Sequence, residues 1–320
     1  MRPALYLATL WVVVTLNFLL PRMMPGDPLN ALQDPSNGAF LSDDTVRGQV
    51  MAYYGLNRPL GEQYVRYLGA IARGDLGWSI RMNTPVVELI SSRLPWTLLL
   101  VMPSLAIATI LAAIAGVEAA WARGSRLDRT LLVTFTATHA VPVFVLGVCA
   151  IGLIGVQLAW LPISGATTPF RGYARATDYA LDVLQHWLLP AGALTIEITT
   201  ARFLLMRNTM LGVLSEEFIA VARAKGLGER ALKYRHALPN ALLPSVTTLA
   251  AQVGFALGGA VFVETLFAYP GIGRLLSDAV GARDYPVLQG TFLVVALGTL
   301  LANALADAAY GVLDPRTRDR

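Results

Sequence analysis

Six apolar runs, at roughly 3–20, 96–121, 131–160, 187–206, 241–269 and 286–313, constrain this chain more than any short motif in it. A helix needs about 20 predominantly apolar residues to cross the hydrocarbon core of a bilayer. Inside lipid the backbone can satisfy its own polar groups only as helices or as a closed barrel. Runs of this length predict an all-α polytopic membrane protein with six transmembrane helices. Composition agrees: 55% of the 320 residues are hydrophobic and 14% are charged, whereas charged residues make up about a quarter of a soluble domain. Six crossings place both ends on the same side.

The first run follows Arg2, but Leu19-Leu20-Pro21-Arg22-Met23 offers no small-x-small cleavage site, so it reads as a retained transmembrane helix. Orientation follows the short loops. Arg123, Arg126 and Arg129 lie between the second and third runs, and Arg207, Arg223, Lys225, Arg230, Lys233 and Arg235 between the fourth and fifth. Positive residues in short loops mark the cytoplasmic side, which makes both termini cytoplasmic. That bias accounts for most of the net charge of +4. Without a basic and aromatic platform the charge does not point to nucleic acid. Cys149 is the only cysteine and falls within the third run, so it predicts a small packed hydrophobe rather than a disulfide partner.

Residues 1–95 comprise the first helix and an external region, with short helices predicted around Asp44 to Tyr54 and Leu60 to Ile71. Tyr64, Tyr67, Leu68 and Ile71 recur at helical spacing, as expected of a face packed on the membrane core. Residues 96–320 form the second part, a core of five transmembrane helices interrupted by a charged loop at 215–239.

That loop reads as a helix-turn-helix set between apolar segments. Ser215 is a candidate cap, Glu216 and Glu217 suit the positive end of a first short helix, and Arg223 and Lys225 suit its negative end. Gly226 follows as the left-handed residue that ends it. The second helix is expected to start near Glu229 and to finish before Pro239. Helices this short are marginal in water and need a surface to pack on. Ala220, Ala222 and Ala224 keep the first one thin while Phe218 and Ile219 add apolar bulk, a pattern suited to another protein's groove.

These residues carry a family resemblance. Ala220-Val221-Ala222, three residues, Gly226, nine residues and His236-Ala237-Leu238-Pro239 together resemble the EAA loop of ABC-importer permeases, with Ala and His in place of its Glu and Ile. ARAKGL at Ala222 to Leu227 and PNALLP at Pro239 to Pro244 are similar to the dipeptide/oligopeptide/nickel branch. So are Pro25-Gly26-Asp27-Pro28, Arg73-Gly74-Asp75-Leu76-Gly77, Leu161 to Gly165, Glu264 to Phe267, Pro270 to Gly273, Arg283 to Pro286 and Asp314-Pro315-Arg316, in that order. The resemblance implies a type I ABC importer permease fold in a bacterial inner membrane. Its implied partners are a second homologous permease, two cytoplasmic ATPase subunits and an extracytoplasmic solute-binding protein. It also implies that Phe218, Ala220, Ala222, Arg223, Ala224, Lys225, Gly226, Leu238 and Pro239 couple the ATPases to transport.

No catalytic residue is expected in the chain. Lys225 and Lys233, the two lysines, both lie in the loop without the glycine-rich turn that cradles phosphates, so ATP and Mg belong to partner subunits. His139, His186 and His236 are scattered, without metal-ligand spacing. Ionisable groups inside a membrane cost about 2.5–3.5 kcal/mol on insertion scales, which makes Glu197, near the centre of the fourth run, a candidate for the translocation path. His139 is a second. Glu118 and Glu264 lie nearer run ends, where snorkelling or interfacial water relieves the cost. Asn303 and Asp307 form an i,i+4 polar pair suited to holding helices together. The function expected is a permease for di- or oligopeptides. Alternatives are a nickel-chelate or other small-solute permease, a proton-coupled secondary transporter using Glu197 or Asp307 and, more remotely, a membrane-embedded enzyme.

Overall fold

The computed structural model describes residues 2–23, 48, 51–52, 57–242 and 260–313, and among them it is helical, with no strand. The elements are α1 (Arg2–Met23), α2 (Leu60–Ala72), α3 (Val86–Trp121), α4 (Arg126–His139), α5 (Val143–Ala150), α6 (Ala176–Leu214), α7 (Glu217–Ala224), α8 (Glu229–Ala231), α9 (Ile272–Ala282) and α10 (Tyr285–Leu313). A π-helical segment, Ile151–Gln157, continues α5, and another, Leu232–Ala237, continues α8.

Four helices, α1, α3, α6 and α10, are long and apolar enough to cross a membrane. The run expected at 131–160 is not one straight span. It is a pair, Arg126–His139 and Val143–Gln157, bent by 95°, and counting it as one span brings the total to five. Pro142 causes the break. It caps α5 with φ −58° and ψ 144°, and its ring disfavours helical geometry in Val141 before it. Most of the expected fifth span lies outside the described residues, as do Pro25 to Pro28, most of Asp44 to Tyr54, the Asp307 side chain and Asp314 to Arg316.

The chain divides into two compact units. The first comprises Met1–Trp96 and Pro270–Leu300. Here α2 forms over the expected residues and its tyrosines meet α1: the Tyr64 hydroxyl lies 2.7 Å from Thr15 Oγ1, and Asn17 donates to the Tyr67 hydroxyl at 3.0 Å. Phe18 packs edge-on to Tyr64. Val86, Ile90, Ile272, Leu275, Ala279, Val287 and Leu288 form the unit's core. Asp284, buried at the turn into α10, accepts from Ser79 Oγ at 2.5 Å and from the Arg81 amide at 3.1 Å, which fixes the segment leading into α3.

The second unit comprises Thr97–Tyr269 and Leu301–Arg320. Ser125 caps α4 by accepting from the Asp128 amide at 3.3 Å, and Asp128 in turn accepts from the Gly124 amide at 2.9 Å. Gly116 lets α3 approach α6: a β-carbon there would lie 2.8 Å from Met206 Cβ and 3.0 Å from the Arg207 backbone nitrogen. At the other end of α6, the buried Asp182 carboxylate gathers the preceding loop. It accepts from the Thr168 amide and hydroxyl at 2.7 and 2.6 Å, from the Tyr173 hydroxyl at 2.7 Å and from Arg171 at 3.3 Å.

Candidate functional site

The loop between α6 and the 243–259 segment begins differently from its sequence reading. Ser215 does not cap α7; it closes α6, where its hydroxyl donates to the Gly212 carbonyl at 2.6 Å and its backbone stays helical. Glu216, extended at φ −72° and ψ 147°, takes the cap position instead. The serine hydroxyl is occupied by the helix it ends, so it is not available to the helix that follows.

Gly226 has φ +79°. Its amide donates to the Arg223 carbonyl at 3.0 Å, and the Leu227 amide reaches back to Ala222 at 3.4 Å. This is the paired bonding that satisfies the last carbonyls of a helix ending in a left-handed residue. Gly228, at φ −64°, begins the second helix with ordinary backbone geometry.

The second helix runs past Pro239 instead of stopping before it. Helical structure continues through the π-helical Leu232–Ala237 and on through residues 238–242. Proline lacks an amide, and in a regular helix its ring meets the carbonyl four residues back. A widened turn lies immediately upstream, and by shifting the bonding register by one residue it changes which carbonyl faces the ring. The Asn240 side chain donates to the His236 carbonyl at 2.8 Å.

The loop has two unlike faces. Ile219, Ala237 and Ala241 are buried against Val117 and Ala120 of α3 and Met206 and Met210 of α6. Ala222, also among the expected coupling residues, turns to this inner side. Phe218, Ala220, Arg223, Ala224, Lys225, Gly226 and Pro239 are exposed, and Leu238 is half-buried. Phe218 is 42%, Val221 54% and Leu227 37% exposed. An apolar strip therefore lies uncovered on a basic, well-anchored element.

Glu197 and His139 lie on different helices: Glu197 is half-buried on α6, and His139 is exposed at the end of α4. Cys149 is exposed rather than packed. Glu264, expected near interfacial water, is fully buried and accepts from Thr97 Oγ1 at 2.6 Å. A neighbouring hydroxyl takes the place of solvent. Sequence reasoning passed over Arg202, which is 2% exposed within α6 and donates to Thr109 Oγ1 of α3. The rule that singled out Glu197 applies equally to an arginine five residues later in the same run. Among the described residues, no three His, Cys, Asp or Glu side chains converge as a metal site.

Long apolar helices, four of them able to cross a membrane, together with a basic helix-turn-helix anchored on two of them, define a multi-pass membrane protein. The chain belongs to the family described as binding-protein-dependent transport system inner membrane component, whose model matches residues 108–319. It is 38% identical over 315 residues to a putative peptide permease protein of Brucella suis biovar 1, covering 98% of this chain and 96% of that one. It is 36% identical over 332 residues to the di/tripeptide transport system permease protein DppB of Pseudomonas aeruginosa, covering 99% and 97%. It is also 36% identical over 310 residues to the glutathione transport system permease protein GsiC of Escherichia coli K12, covering 97% and 95%. The family is a membrane permease component of ABC transporters and not itself an enzyme.

Proposed function

We propose that this chain forms part of the translocation path for di- or oligopeptides in an ATP-driven importer of the bacterial inner membrane. The carrying observation is the two-faced loop: Ile219, Ala237 and Ala241 anchor it to α3 and α6 while Phe218, Val221 and Leu227 face outward. An exposed apolar strip on an anchored helix is the usual form of a surface awaiting a groove. Its partners are two cytoplasmic ABC ATPase subunits, which hold ATP and Mg. A second homologous permease completes the path and an extracytoplasmic solute-binding protein delivers cargo. The loop and both termini face the cytoplasm, as the arginines and lysines of the short loops suggest.

In this reading Phe218, Ala220, Arg223, Ala224, Lys225 and Gly226 form the ATPase-facing surface, and Ala222, Leu238 and Pro239 hold its shape. ATP-driven closure of the ATPases then moves the loop, and residues 96–320 respond as the core that opens outward. Glu197 and His139 line the path. Peptides are favoured as cargo because the relatives are named for peptides, di/tripeptides and glutathione, itself a tripeptide.

The test is uptake by the whole complex in proteoliposomes, with a labelled dipeptide, glutathione and a nickel chelate offered separately. Uptake of the dipeptide that needs ATP and its binding protein supports the reading. Uptake of only the nickel chelate reassigns the cargo. Accumulation driven by a proton gradient without ATP would establish a secondary transporter instead.

A further inference from the structure

The loop is joined to α6 by the chain itself, but that connection is a weak lever: Ser215 ends one helix and Glu216 is extended before the next begins. A load on the loop carried only through these residues would bend them. The structure contains a second attachment, to the final turns of α3. Both oxygens of the Glu118 carboxylate reach the loop, one accepting from Lys233 Nζ at 2.9 Å and the other from the Tyr234 hydroxyl at 2.8 Å. That second bond pushes the Tyr234 hydroxyl above its ordinary value.

Trp121, three residues further along α3, lies on the same side of that helix. Its ring receives Lys233 at 5.1 Å and Arg223 of α7 at 5.8 Å. The segments on both sides of the Gly226 turn are thus held by one patch of α3. Beneath it, Val117 and Ala120 pack with Ile219 and Ala237.

We propose that Glu118 and Trp121 are positioning residues that tie the loop to α3, so that movement of the loop shifts α3 together with α6. The inference rests on the docking role given to the loop above. It assigns α3 as a second receiver of the ATPase stroke, with the Glu118–Lys233 and Trp121 contacts as the link. The ion pair is partly exposed, with side-chain exposures of 34% for Glu118 and 14% for Lys233. Glu118 is open enough to stay solvated when its partner is replaced, and the charge-exchanged double variant keeps both positions paired, which separates a defect in transmission from one in folding.

The experiment uses the complete complex in nanodiscs and a readout that needs no cargo. Ser92 is exposed near the far end of α3, about 39 Å from Glu118 along the helix at 1.5 Å per residue. A thiol introduced by Ser92→Cys, with Cys149→Ser to remove the native one, is labelled from the external side with and without ATP and vanadate. The parent should show a nucleotide-driven change in labelling rate. Glu118→Lys and Lys233→Glu should each retain the ATPase subunits but shrink that change by about tenfold, and the two together should restore it to within about threefold of the parent, as expected for a directly coupled pair. Trp121→Phe should retain more of the response than Trp121→Ala.

A parent without a nucleotide-driven change, single variants with the full change, or a double variant no better than the singles would each overturn the proposal. Loss of the ATPases from the single variants would overturn it as well, by showing that the link shapes docking instead of transmitting it. The docking reading is tested separately by Phe218→Asp in the parent. If that variant keeps its ATPases, the docking site lies elsewhere, whatever the Glu118 variants do.

Discussion

Asp128 and Arg207 meet in a two-pronged ion pair, with Nε to Oδ1 at 2.7 Å and Nη2 to Oδ2 at 2.9 Å. The carboxylate belongs to the first turn of α4 and the guanidinium to α6. Because Asp128 also accepts from the Gly124 amide, one acidic side chain closes the α3–α4 turn and fastens it to α6. Three arginines of that loop lie nearer in sequence, yet the partner comes from another helix. The fork geometry of arginine matches both carboxylate oxygens, which a single lysine nitrogen cannot do.

Breaking this pair should destabilise the chain. Side-chain exposures of 13% for Arg207 and 5% for Asp128 leave either group poorly solvated if its partner is removed. Arg207→Ala is expected to cost about 3–5 kcal/mol, read as a fall in the melting temperature of the detergent-solubilised complex. Arg207→Lys should recover only part of it. A melting temperature unchanged in Arg207→Ala would show that the pair contributes nothing.

Gly226→Ala tests backbone geometry without steric interference. No atom lies within 4 Å of the position a β-carbon would take, so the cost comes from φ +79° alone. That conformation penalises a β-carbon by about 1–2 kcal/mol, and a β-branched residue by more. Gly226→Val should reach the membrane in normal amounts yet lose most uptake and weaken ATPase association. Gly228→Ala, at φ −64°, should behave nearly as the parent. Equal effects at the two glycines would refute the account.

Gly116→Val should act by collision. The added atoms would press on Met206 Cβ and the Arg207 backbone, which cannot swing aside as the end of a flexible chain can. Overpacking of this kind costs about 1–3 kcal/mol. Truncating the obstacle by Met206→Ala does not clear the backbone, so it should not rescue the melting temperature of Gly116→Val. Full rescue would place the clash in the Met206 side chain.

The Asp182 network predicts a pH dependence for the loop before α6. Tyr173 is held above its ordinary value of 10.0, first by burial and then by the hydrogen bond it donates to Asp182. A raised acid stays neutral when folded at pH values where the unfolded group ionises. Its contribution is therefore complete below about pH 10 and lost as pH rises through the folded value. Asp182→Asn should lower the tyrosine absorbance midpoint assigned by comparison with Tyr173→Phe, and should speed amide exchange at Thr168 at neutral pH. A midpoint that stays in place would remove Asp182 as a cause.

Much of the architecture was legible because its signals are local. An apolar run long enough to span announces a helix wherever it packs, and α1, α3, α6 and α10 follow from that alone. Gly226 was legible for a similar reason: a glycine after a short charged helix and before another is where a left-handed residue is needed, and φ +79° lies there. The resemblance of the whole chain to permeases likewise rests on order and spacing, which need no coordinates.

Tertiary structure decided what depends on partners distant in sequence. Ser215 could have capped the helix after it or closed the helix before it, and only the competition between the two ends, won by Gly212, settled its bond. Pro239 signals a helix end by its own chemistry, but a π-helical turn upstream absorbed it. Glu264 found Thr97 across 167 positions of chain, and Arg202 found Thr109 across 93. Periodicity states which side chains share a face. It does not state which polar atom waits opposite, because that depends on how closely the helices approach, and between α3 and α6 the missing β-carbon at Gly116 permits a close approach to Met206 and the Arg207 backbone.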